Sequence, residues 1–207
     1  MPIFDLDDRR VLFLHIPKAA GSSMTKWLSG HGKVSFFRPR PVPPLTIPPQ
    51  HLRWRDFDYL LNDPVFDYAF TVVRNPYDRI ESEYFWAHRN ADTSGQPWDD
   101  FNSWIERQIK AVRNNPFHAS NHLSTQVSFL ADPVEVFKFE DGMEQITAQI
   151  AKTLGITPPD KVPYQNARAE KARTLVWSIE SIDLVRDFYA ADFKTLGYDP
   201  DGRSVSA

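Results

Sequence analysis

Twice in this chain an apolar, β-prone run gives way to small or polar residues and then to a helical pattern. Residues 11–16 lead through Pro17 to Gly21, Ser22 and Ser23, which can open and cap a helix reaching Leu28. Residues 67–73 alternate and end in Tyr-Ala-Phe-Thr-Val-Val, the best candidate for a buried central strand, and lead through Asn75-Pro76 to a helix expected over 77–88. A strand running into a helix, repeated, builds a mainly parallel sheet covered on both faces. Ligand chemistry in such sheets sits at the carboxyl ends of the strands.

The remaining pattern fits between these two units. A second strand is expected over 33–38, a short helix over 54–61, helices over 98–112 and 121–130, a strand over 134–139, and amphipathic helices over 142–154 and 174–193. Six of the seventeen prolines fall within 39–49, which bars helix and central strand from that stretch. The length of 207 residues with 42% apolar side chains suits one domain, 1–207, with its core over about 11–199.

Composition excludes several classes. With 24 Lys+Arg against 27 Asp+Glu the net charge is −3, which supplies no general attraction to nucleic acid or an anionic membrane, so any anion site must be local. The absence of cysteine removes disulfides and thiolate metal sites. Residues 1–10 are acidic and polar, with no apolar run of signal-peptide length, and no stretch approaches the roughly 20 apolar residues that span a bilayer. A cytoplasmic protein is expected.

Two residue clusters carry chemistry, each at an expected strand end. The first is His15-Ile16-Pro17-Lys18-Ala19-Ala20-Gly21-Ser22-Ser23, where small residues let backbone N–H groups approach an anion and a helix N-terminus adds its dipole. It is not a Walker A loop, since Lys18 precedes the only glycine instead of following a second one. The second runs from Arg74 to Ser82: a planar guanidinium at a strand end and a hydroxyl two helical turns on, both suited to one anion.

These two clusters resemble the sulfotransferase superfamily that uses 3′-phosphoadenosine 5′-phosphosulfate (PAPS), most closely its carbohydrate branch, which includes the heparan sulfate 2-O-sulfotransferases. That family's first motif reads approximately H-I-P-K-T-A-G-T-S, and this chain differs by small-for-small changes at Ala19 and Ser22. The second motif places Ser eight residues after Arg, the spacing of Arg74 and Ser82. The resemblance covers about residues 11–199 and implies a P-loop-like nucleotide-binding α/β domain with a mainly parallel central sheet flanked by helices. It implies that Lys18 meets the bridging or sulfuryl oxygens, that Gly21, Ser22 and Ser23, with the amides of Ala19 and Ala20, hold the 5′-phosphate, and that Arg74 and Ser82 hold the 3′-phosphate. It implies in-line transfer to a hydroxyl acceptor, a carbohydrate or glycoconjugate, without metal or nucleic acid; residues near 98–130 would help form the acceptor cleft, and Arg168 or Lys171 would sit in a loop closing over the nucleotide.

Six histidines are present and none belongs to an H-E-x-x-H zinc motif: only His118 and His122 stand four apart, and Ala119 occupies the place of its Glu. His15 reads as a packing or hydrogen-bonding residue, and His31, His88 and His118 as solvated. His51 is the expected general base: it stands 23 residues before Arg74, and in the 2-O-sulfotransferase branch the base histidine lies at a closely similar distance. His122 is the alternative base or an acceptor-binding residue, and Glu83 a third candidate. Trp54, Phe57, Phe85, Trp86, Trp98 and Trp104 are core residues or stacking platforms. A nucleotide kinase-like phosphoryl transferase and a catalytically silent nucleotide-binding module are the competing readings.

Overall fold

Every side chain from Val11 to Leu14 is fully buried, so this strand reads as a continuous apolar run and must be covered on both faces. The structure, a computed structural model, describes residues 1–62, 65–95, 97–162 and 174–203. In chain order its main elements are β1 (Ile3–Leu6), β2 (Arg9–Leu14), α1 (Gly21–Leu28), β3 (Lys33–Ser35), α2 (Trp54–Leu61), β4 (Tyr68–Val73), α3 (Pro76–Ala87), α4 (Ala91–Ser94), α5 (Phe101–Asn114), β5 (Glu135–Lys138), α6 (Met143–Leu154), α7 (Ile179–Phe188) and α8 (Ala190–Leu196).

Two compact units are distinguished. The first comprises the described parts of Met1–Arg74 and Ser128–Asn166. It holds a five-stranded sheet in the order β3-β1-β2-β4-β5. β2 pairs with β4 and β4 with β5 in parallel, while β1 is antiparallel to both β2 and β3, so all strands but β1 point the same way. Phe13, Phe70, Val72 and Phe137 from the sheet pack with Met24, Trp27 and Leu28 of α1 and Met143, Ile146 and Ile150 of α6. This is the mixed α/β arrangement with a mostly parallel sheet that the repeated strand-to-helix pattern demands.

Two details of the sheet differ from expectation. Residues 3–6 form a strand that the run of aspartates conceals: Ile3, Phe4 and Leu6 are buried, Asp5 faces out, and Asp7 takes φ 50° in the turn to β2. The core therefore begins ahead of residue 11. The strand expected over 33–38 stops at Ser35, because Phe36 adopts φ 55° and leaves the ladder.

The second unit, the described parts of Asn75–Val127 and Ala167–Ala207, is helical. Tyr77, Ile80 and Tyr84 of α3, Phe101, Trp104, Ile105 and Ile109 of α5, and Ile182, Val185, Tyr189 and Phe193 form its core. α5 starts at Phe101 instead of 98 because the Asp100 carboxylate accepts from Ser103 N at 2.9 Å, an N-cap bond. The helix expected over 174–193 is two helices, broken at Tyr189 (φ −102°, ψ 21°).

No α-helix forms over 121–130, where only short 3₁₀ turns occur. Ala119, Ser120 and Asn121 all take positive φ. The backbone groups a helix would pair internally are instead taken by side chains. Arg79 donates to the carbonyls of His122 (2.8 Å) and Ser124 (2.7 Å), Tyr189 donates to that of Leu123 (2.7 Å), and the Asp192 carboxylate accepts from the amides of Gln126 (2.8 Å) and Val127 (3.0 Å). Tertiary partners override the local helical pattern.

A candidate anion site at the carboxyl ends of three parallel strands

In the first unit β2, β4 and β5 lie side by side, so the residues that follow them are brought to one edge. The Thr71 hydroxyl donates to Leu14 O at 2.7 Å and ties the ends of β2 and β4 together where the loop leaves. After β2 the chain turns through His15 to Ala20 and enters α1 at Gly21. Lys18 and Ala20 take left-handed φ values of 68° and 61° on either side of Ala19. Such angles are uncommon for residues with a Cβ. Left-handed and ordinary backbone in alternation turns successive N–H groups into one concavity, a shape suited to an anion.

α1 leaves this loop with no side-chain cap and no acidic residue in its first turn, so its N-terminal amides and positive dipole end face the loop without a carboxylate competitor. Lys18 is half-buried, Ala19 fully buried, Ser22 exposed and Ser23 buried. Gly21 is required by crowding instead of by backbone angle: a Cβ there would stand 1.9 Å from His15 Nε2.

Arg74 follows β4 directly. Its Nη1 donates to Lys18 O at 3.4 Å, and its guanidinium lies 4.7 Å from the ring centroid of Phe139, which follows β5. The two sequence clusters are thus joined in space through the Lys18 loop and Arg74. Ser82, the other half of the second cluster, is half-buried on α3 in the second unit.

His51 ends a 3₁₀ turn, Pro49–His51, at the close of the proline-rich stretch and is 7% exposed. The Gln50 amide donates to its Nε2 at 3.0 Å, which places the ring proton on Nδ1. Its ring meets that of His15 edge-on, centroids 5.2 Å apart. His15 in turn borders Gly21, so the expected base and the anion loop belong to one cluster.

In the second unit His122 Nδ1 and Glu83 Oε2 are 2.8 Å apart and both side chains are buried. Glu83 therefore serves His122 instead of presenting itself to solvent. Trp86 packs against the His122 ring at 4.8 Å, while Phe57 and Trp104 are core residues. Among the histidines read as solvated, His88 is stacked on Trp98 with centroids 5.1 Å apart and contacts Tyr84 O at 2.8 Å, and His118 contacts Gln108 at 2.7 Å, so neither is a bare surface group. Burial holds the Asp192 carboxyl above its ordinary range, only partly offset by Arg79. Arg168 and Lys171 lie outside the described residues.

The chain matches the sulfotransferase family over residues 1–199. It belongs to that family. The match is to the family 2 type and takes in both sequence clusters as well as β1. No curated protein and no solved structure matches the chain. Membership in the sulfotransferase family supports sulfuryl transfer to an acceptor as the activity in general terms. Among the described residues no group of three or more His, Asp or Glu is placed to hold a metal ion, and no helix is long and apolar enough to cross a membrane.

Sequence reasoning did not single out the His15–Gly21 contact, the Glu83–His122 pair or Arg79. The first had a signal in the lone glycine of a loop otherwise built from alanine and serine. The other two depend on long-range contacts that spacing does not encode.

Proposed function

We propose that this protein transfers the sulfuryl group of PAPS to a hydroxyl of a carbohydrate or glycoconjugate acceptor, in a P-loop-like nucleotide-binding fold. The observation that carries the donor reading is the placement of Arg74 against the Lys18 carbonyl, at the ends of adjacent strands β4 and β2, beside an uncapped helix start. Two cationic side chains and a concave run of amides at one sheet edge suit a nucleotide bearing phosphate groups at two positions.

In this reading the amides of residues 19–23 and the Ser22 and Ser23 hydroxyls hold the 5′-phosphate, and Arg74 holds the 3′-phosphate. Ser82 is assigned to the same phosphate by its spacing from Arg74. Lys18 neutralises charge that develops on the leaving phosphate oxygen, the kind of stabilisation that counts most in the transition state. His51, with its proton on Nδ1, keeps its basic lone pair on Nε2, where the Gln50 amide now donates. An acceptor hydroxyl takes the place of that amide and gives its proton to Nε2 as its oxygen attacks sulfur. The products are a sulfate ester and adenosine 3′,5′-bisphosphate.

The test is transfer of labelled sulfate from PAPS to a panel of glycans, lipid-linked glycans and small alcohols in the presence of a chelator. Chelator-resistant labelling of at least one acceptor supports the reading. ATP–Mg²⁺ consumption with no labelling from PAPS contradicts it.

A further inference from the structure

His15 closes the apolar run that begins the first cluster, and the donor reading assigns it no contact with the nucleotide. The ring is 4% exposed. It stacks on Phe13, centroids 5.6 Å apart and planes at 21°, and meets His51 edge-on at 81°. On another side it leaves no room for a side chain at Gly21: an added Cβ would fall 1.9 Å from Nε2, 2.1 Å from Cδ2 and 2.6 Å from Cε1.

One flat ring therefore touches both working parts of the cluster, the first residue of α1 and the expected base. We infer that His15 is a positioning residue, interlocked with Gly21 so that α1 starts at a fixed place behind the anion loop, and buttressing His51 so that its ring holds one orientation and one tautomer. The inference rests on the donor-site reading above for its meaning, while part of its test needs no ligand. A ring of this thickness fits the gap because residue 21 has no Cβ; each residue explains the identity of the other. Coupling of this kind is measured by a double-mutant cycle.

The cycle uses Gly21→Ala and His15→Ala, singly and together, with affinity for adenosine 3′,5′-bisphosphate read by calorimetry. Alone, Gly21→Ala is expected to weaken binding by about 30-fold or more, and in the His15→Ala background by less than about 3-fold, because the clash has gone. Equal losses in the two backgrounds overturn the interlock. The second readout is the ¹⁵N spectrum of the imidazole rings, with the His51 signal assigned by its loss in His51→Asn. A single tautomer in the wild type that becomes a mixture in His15→Ala is the expected result, and an unchanged His51 spectrum overturns the buttressing role. His15→Gln, which keeps bulk and polarity without a flat ring, carries the same measurements should His15→Ala not fold. Failure of the wild type to bind the nucleotide counts against the donor reading instead; the cycle is then read from thermal midpoints and the ring spectra, where additivity and an unchanged tautomer still overturn the inference.

Discussion

Replacing Arg79 with Met tests how the segment after α5 is held. The Arg79 side chain is 1% exposed and donates to two carbonyls, of His122 at 2.8 Å and Ser124 at 2.7 Å, with its guanidinium 5.3 Å from the Tyr189 ring centroid. Methionine keeps the stem and removes the fork, leaving two buried carbonyls without their donor at about 1–3 kcal/mol each. The cost of burying the guanidinium disappears at the same time, so the net loss is expected to be about 1–5 kcal/mol. The loss should depend on pH. Burial raises the Asp192 carboxyl and Arg79 pulls it back down, so without Arg79 it rises further. A carboxyl raised in the folded state weakens the fold where it must ionise, and the deficit fades as pH falls through its folded pKa toward the ordinary value of 3.8. Urea unfolding, followed by tryptophan fluorescence and circular dichroism at pH 7 and near pH 4.5, reads both effects. A loss below about 1 kcal/mol at pH 7, or one that grows toward acid pH, would refute this account of the segment.

Other substitutions separate folding from chemistry. Asp100→Ala removes the cap of α5 and should cost about 1 kcal/mol at neutral pH. Hydrogen bonds from Ser103 hold the Asp100 carboxyl below its ordinary range, so the cap is fully present above 3.8 and is lost as pH falls through its lowered folded value. The difference between this variant and the wild type should therefore shrink on acidification, as thermal unfolding across that range will show. Lys18→Ala is expected to lower kcat far more than affinity for adenosine 3′,5′-bisphosphate; the reverse pattern contradicts its role at the leaving group. His51→Ala should retain nucleotide binding and lose about 10²–10⁴-fold in turnover, whereas near-normal turnover there with a large loss in His122→Ala would transfer the role of base to His122.

The strand-to-helix units and the two candidate clusters at their turns are legible in sequence because they depend on local pattern: a β-prone run, a small-residue turn, a helical face. Those signals placed β2, α1, β4 and α3 to within a few residues of their positions. β1 was hidden because Asp5, Asp7 and Asp8 dominate the composition of the N-terminal stretch, although Phe4 and Leu6, two apart on either side of Asp5, have the spacing that buries one face of a strand. The segment 121–130 misled for a different reason. The spacing of Leu123, Val127 and Leu130 is helical, but Arg79, Tyr189 and Asp192, distant in sequence, take its carbonyls and amides. Within the candidate site, the motifs that contain Lys18 and Arg74 are visible in the sequence, whereas the hydrogen bond from Arg74 to the Lys18 carbonyl and the closeness of His15 to Gly21 arise only when adjacent strands bring their ends together.

The central claim is that the Lys18 loop and Arg74 form a site for a nucleotide carrying both 5′- and 3′-phosphates. Calorimetry with adenosine 3′,5′-bisphosphate and adenosine 5′-phosphate, on the wild type and on Arg74→Ala and without metal, tests it directly. The account predicts that the wild type prefers the bisphosphate and that Arg74→Ala loses about 1.5–3 kcal/mol of binding to it while hardly changing for the monophosphate. Equal losses for both nucleotides, or no preference for the bisphosphate in the wild type, would contradict it.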